Sequence, residues 1–128
     1  MNKIVHFEIP FDDKEKAMKF YKDIFGWELN DMPEMNYVIA HTVKVDEKFM
    51  PKESGAINGG MYKRDENSAQ SPVLVIDVPS VDDYAKKIEK IGGKIIRPKH
   101  KVGEMGYYAQ FEDTEGNVLG IWETIKKE

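Results

Sequence analysis

The chain has 128 residues, 41% hydrophobic and 33% charged, with a formal net charge of −4 at pH 7. That length fits one domain able to bury a core unaided, and the interspersed, mildly acidic charge argues against nucleic acid and anionic membranes as partners. Cysteine is absent, which excludes disulfides, thiolate nucleophiles and Cys-ligated metals. The opening MNKIVHFEIP lacks an apolar leader core, and no apolar run reaches membrane-spanning length, so cytoplasm is the expected compartment.

Ile4 to Ile9 alternates in period two, with Val5, Phe7 and Ile9 on one face and Ile4, His6 and Glu8 on the other. A helix follows, with Asp12 as expected N-cap, Glu15 completing a capping box and Gly26 as the C-terminal stop. Its Ala17, Phe20, Tyr21 and Ile24 recur at helical spacing, which predicts a buried stripe. Trp27 to Asn30, Asn36 to Val43 and Ile57 to Lys63 read as strands, the last despite Gly59-Gly60, with residues 44–55 as a polar connection. RDENSAQSP, residues 64–72, reads as a linker.

After it the order starts again. Val73 to Val78 is a strand, and Ser80 caps a helix with Val81, Tyr84, Ala85, Ile88 and Ile91 on one face. Strands at Lys94 to Arg97, Tyr107 to Glu112 and Val118 to Thr124 complete the second set. The chain thus reads as a weak duplication, βαβββ twice: module one about 1–63, linker 64–72, module two 73–128, within a single domain. A displacement of 67 residues sets His6 over Val73, Glu8 over Val75 and Gly26 over Gly93. Met35-Asn36-Tyr37 echoes Met105-Gly106-Tyr107, three residues out of step. The expected fold is α+β, with both helices outside and a curved, partly closed eight-stranded sheet around a ligand cleft.

The stretches KAMKFYKDIFGWEL, INGGMYKR and GYYAQFEDTEGNVLGIWE, in this order and spacing, resemble the vicinal oxygen chelate superfamily of glyoxalases, bleomycin-resistance proteins and extradiol dioxygenases. The similarity covers essentially the whole chain and is greatest to a subgroup of small glyoxalase-like proteins. It implies a homodimer and a small-molecule ligand. It also implies metal ligands on the first and last strand of each module. Carried onto this sequence, those positions are His6, Val73, Gly120 and one of Gly59-Gly60. A divalent metal through His6 is the cofactor the resemblance leaves open, and one histidine is not a site. Standard glyoxalase I activity is therefore not expected.

His6 and Glu8 share a strand face and make the candidate catalytic pair, for proton transfer next to a carbonyl. The alternative is a histidine satisfied by buried hydrogen bonds. Gly120 removes a side chain in mid-strand. One reading has it leave room beside Trp122 for a flat ligand, while in the other Trp122 closes that space. Tyr108, Gln110 and Met61 complete the candidate ligand wall. Glu123 is expected on the opposite face from Trp122. The run Arg97-Pro98-Lys99-His100-Lys101 could hold an anionic group or serve as a solvated sheet edge. Two functions stay open: a glyoxalase-like enzyme using His6 and Glu8, or a non-catalytic, bleomycin-resistance-like protein that sequesters a small, cationic ligand.

Overall fold

The structure is a computed structural model and describes residues 1–125. The first βαβββ run is β1 (Ile4–Phe11), α1 (Lys14–Phe25), β2 (Glu28–Met32), β3 (Tyr37–His41) and β4 (Gly59–Lys63). The second is β5 (Val73–Asp77), α2 (Val81–Lys90), β6 (Lys94–Val102), β7 (Gly106–Glu112) and β8 (Val118–Thr124). The fold is α+β, as the periodicities predict. It divides into two compact units. The N-terminal unit comprises His6–Arg64 with Gln70–Pro72, and the C-terminal unit comprises Met1–Val5, Asp65–Ala69 and the chain from Val73 onward. The expected linker is therefore shared out: Ser68 and Ala69 are buried, at 6% and 3% exposure.

In the N-terminal unit the strand order is β2-β3-β4-β1, with β1 parallel to β4 and the other pairs antiparallel. The C-terminal unit repeats the pattern as β5-β8-β7-β6, with β5 parallel to β8. Its core follows the expected pattern except at Ile91, which caps α2 and is 79% exposed. Val78, Val81, Ala109, Phe111 and Ile121 are buried, with Tyr84, Ile88 and Leu119 packed against them. Two side-chain acceptors hold the start of α2. Ser80 Oγ accepts from the Asp83 N–H at 3.1 Å and Glu123 Oε1 from the Val81 N–H at 2.9 Å. Glu123 thus serves the helix side, as alternation along β8 predicts.

α1 departs from expectation. Asp13, not Asp12, is its N-cap, accepting from the Lys16 N–H at 3.1 Å, while Asp12 pairs with Arg64 at 2.8 Å. No residue of α1 is buried, and Phe20 and Ile24 stay 55% and 63% exposed. The stripe satisfies itself in an aromatic string instead: Phe20 against Tyr21, Tyr21 stacked on Trp27 at 4.9 Å, and Trp27 on Phe7 of β1 at 5.5 Å. Only the inner end of that string reaches the sheet.

β6 is also longer than its sequence suggested. It runs through the basic segment with two register shifts against β7, one between Ile95 and Arg97 and one between Arg97 and His100. Pro98 is tolerated there because β6 is an edge strand and the ladder is already broken. Among the described residues, no helix is long and apolar enough to cross a membrane.

Candidate functional site

In the N-terminal unit, β1 and β4 pair with Glu8 opposite Gly60, and β3 pairs with β4 so that Ile39 faces Gly60 and Tyr37 faces Tyr62. Tyr37 therefore stands diagonally across from Gly60, within reach of a large side chain. Its phenol lies where a residue-60 side chain would begin: a Cβ there would collide with the ring and hydroxyl. From that position the Tyr37 hydroxyl sits 2.8 Å from Nε2 of His6, and the two rings are near-parallel, 16° apart. Glu8, two residues along the same face of β1, is buried at 8% exposure.

Burial lowers the His6 pKa from 6.5 to about 4. At neutral pH His6 is a neutral imidazole with one donor and one acceptor nitrogen. It is a weak base and a good hydrogen-bond partner for a phenol. Three polar groups of different kinds, an imidazole, a phenol and a buried carboxyl group, thus share one sheet face.

The C-terminal unit carries the same device. Gln110 faces Gly120, and Tyr108 faces Trp122. Tyr108 again lies diagonally over the glycine, with its ring 2.6 Å and its hydroxyl 2.7 Å from where a Cβ of residue 120 would be. The empty middle of β8 is not room for a ligand; it is filled by Tyr108. Gln110, 1% exposed, donates from Nε2 to the Tyr108 hydroxyl at 3.0 Å and accepts from the Ala69 N–H at 3.2 Å. Ala69 packs with Val73, Val75 and Tyr108. Trp122 is half-buried, lies over Gly106 and donates to Thr124 Oγ1 at 3.0 Å.

The predicted site residues are therefore spread over two different environments. His6 and Glu8 share a face with Tyr37 and Gly60. Tyr108, Gln110 and Gly120 form a packed, hydrogen-bonded layer in the other unit, with Trp122 at its margin. Met61 differs from expectation. It is fully buried, registers with Ile9 and Val38, and faces away from Gly60 because neighbouring strand residues alternate. Register also settles which glycine of the pair matches Gly120. It is Gly60, and the matching tyrosines are Tyr37 and Tyr108, one residue beyond the sequence echo to Tyr107. Tyr37 is the residue that sequence reasoning missed. Its signal was the glycine in mid-strand, which marks a close approach.

A divalent cation needs several N or O donors converging at about 2.0–2.6 Å. The N-terminal unit offers His6 and Glu8, but the glycine position is occupied by the Tyr37 ring, which engages His6. The C-terminal unit offers Val73 and Gly120, neither a side-chain donor. Among the described residues, no three His, Asp or Glu side chains cluster as a metal site. This donor set does not fit the metal of the superfamily.

A family model described as bleomycin resistance protein-like N-terminal matches residues 3–42. A glyoxylase-like domain-containing protein of Didymella fabae is 30% identical over 115 residues, which cover 89% of this chain and 88% of the relative. A putative glyoxylase of Mycobacterium bovis is 23% identical over 124 residues, with 87% of this chain matching 41% of that longer protein. In fold alone, methylmalonyl-CoA epimerase from Mycobacterium tuberculosis is similar, with a TM-score of 0.60 at 14% identity over 96% of this chain and 88% of that one.

The close approach at Gly60 predicts that Gly60→Ala destabilises by about 1–3 kcal/mol, through displacement of a rigid ring. In urea unfolding, Tyr37→Ala should cost much less in the Gly60→Ala background than alone; strictly additive losses would mean the two do not interact. A second expectation concerns pH. The folded-state pKa of His6 lies below its unfolded value of 6.5. Its contribution is therefore complete above about pH 6.5 and is lost as pH falls toward 4, by up to about 3 kcal/mol. The stability difference between wild type and His6→Phe should shift by that amount between pH 7.5 and 4; an unchanged difference would contradict the buried neutral imidazole.

Proposed function

The chain belongs to the glyoxalase-like family of the vicinal oxygen chelate superfamily, and on that premise we propose that it moves a proton next to the carbonyl of a small molecule, without a metal at the usual position. The observation that carries this reading is the buried Glu8 carboxyl group beside the neutral His6–Tyr37 pair, on the face where metal-bearing relatives place a ligand. The Glu8 carboxylate takes the proton from the carbon next to the carbonyl and leaves an enolate. After that proton exchanges with solvent, delivery of a proton to the opposite face of the same carbon gives an epimer, and delivery to the neighbouring carbon gives an isomer. Tyr37 donates its O–H to the enolate oxygen while its own oxygen accepts from the His6 Nε2–H, a role that needs no change in their charge. The CoA ester in the name of the epimerase of like fold gives one carbonyl class to test first.

A second reading, binding without turnover, draws support from the match of residues 3–42 to the bleomycin resistance protein-like family model. In it the ligand is held and released unchanged, and the half-buried Trp122 serves as its fluorescent reporter. Both readings keep the homodimer implied by the resemblance, for which the exposed Phe20, Ile24 and Phe25 offer an apolar surface. The cytoplasm remains the compartment we propose.

The test is solvent exchange. The protein is incubated in D2O with a panel of acyl thioesters and hemithioacetals bearing an acidic α-hydrogen, and deuterium uptake is read by mass spectrometry. Wild type should catalyse uptake, and Glu8→Gln should lose about 100-fold or more. Saturable quenching of tryptophan fluorescence with no uptake from any compound would replace catalysis with sequestration. Uptake unaffected by Glu8→Gln would remove Glu8 from the chemistry.

A further inference from the structure

Strict alternation along β6 would turn Arg97 and His100, three residues apart, to opposite faces. The two register shifts prevent this. Ile95 faces Phe111 on the side of the α2 core, but after the first shift Arg97 faces Gln110, and after the second His100 faces Tyr108. Residues directly opposite in a ladder share a face, so both side chains are turned to the Gln110–Tyr108 side. Bulges that re-aim side chains are structural devices, frequent at functional sites and edges.

The remaining basic residues of the segment are engaged elsewhere. Lys99 pairs with Asp82 of α2 at 2.8 Å and lies over the Tyr107 ring at 4.3 Å, while Lys101 reaches Glu104 at 3.6 Å. Arg97, half-buried, makes no ion pair or hydrogen bond among the described residues. His100 stands edge-on to the Tyr108 ring at 5.7 Å, with Nδ1 3.3 Å from the Pro98 carbonyl, which leaves Nε2 to face a ligand. Burial and the neighbouring Arg97 charge lower the pKa of this imidazole. A solvated edge explains Lys99 and Lys101, each held by a surface carboxylate; it does not explain two bulges that aim a guanidinium and an imidazole the same way.

We infer that Arg97 and His100 form an oxyanion-binding site at the edge of the C-terminal unit, for the phosphate or carboxylate group of a small molecule. The guanidinium supplies a planar, two-pronged donor, and the His100 imidazole takes up a proton as the anion binds, so that Nε2–H donates a third hydrogen bond while Nδ1–H keeps the Pro98 carbonyl. This site is independent of the proton-transfer chemistry at His6 and Glu8, and either can fail without the other.

The test uses the intact protein and follows the His100 ring proton by NMR, assigned with His100→Gln. Inorganic phosphate and malonate are titrated separately, with chloride holding ionic strength constant. A saturable shift with either anion, weakened about tenfold or more in Arg97→Gln but retained in Lys101→Gln, is the expected result. Phosphate alone or malonate alone would identify the group preferred. A shift that chloride reproduces, or one that survives Arg97→Gln, would overturn the site.

Discussion

The missing side chains at Gly60 and Gly120 govern both units of this protein. A tyrosine can lie diagonally across the middle of a neighbouring strand only where that strand has no Cβ, and here it happens twice with the same register. A glycine in mid-strand weakens the ladder. The ring that covers it restores buried apolar area and carries a hydroxyl to a chosen partner. That partner is His6 in one unit and Gln110 in the other. The same geometry therefore yields a polar pair beside a buried carboxyl group in the N-terminal unit and a closed packing layer in the C-terminal unit.

This difference bears on chemistry. In the C-terminal unit Gln110 ties Tyr108 to the backbone of Ala69, so the residues expected to line a ligand wall hold the chain together instead. In the N-terminal unit the phenol engages an imidazole that burial keeps neutral, and Glu8 lies on the same face. A metal at His6 would have to displace Tyr37 and recruit donors that the strands do not offer. Proton transfer between carboxylate and carbon, aided by neutral hydrogen-bond donors, makes no such demand.

Much of the fold was legible because it rests on local rules. Period-two alternation marked β1, short apolar runs between turn signals marked β5, β7 and β8, and the Ser80 cap and the αL turn at Gly26 fixed a helix end in each unit. What was not legible depended on pairing. The N-cap of α1 moved by one residue because Asp12 was taken by Arg64, which is distant in sequence. The basic run of β6 extends past the expected strand end at Arg97 because two bulges hide its strand period. Gly120 was correctly singled out, yet its meaning lay in Tyr108, a residue of another strand, and Tyr37 escaped notice for the same reason. A sequence shows where a side chain is missing, but only register shows what lies over the gap.

The central claim is that tyrosines have taken the place of ligands. It is tested most directly by elemental analysis and calorimetric titration with Zn, Ni and Mn, on tag-free wild type and His6→Ala. The account predicts no stoichiometric metal in either protein and no saturable binding that depends on His6. Near-stoichiometric metal in wild type, lost in His6→Ala, would contradict it and return the N-terminal unit to metal-assisted chemistry.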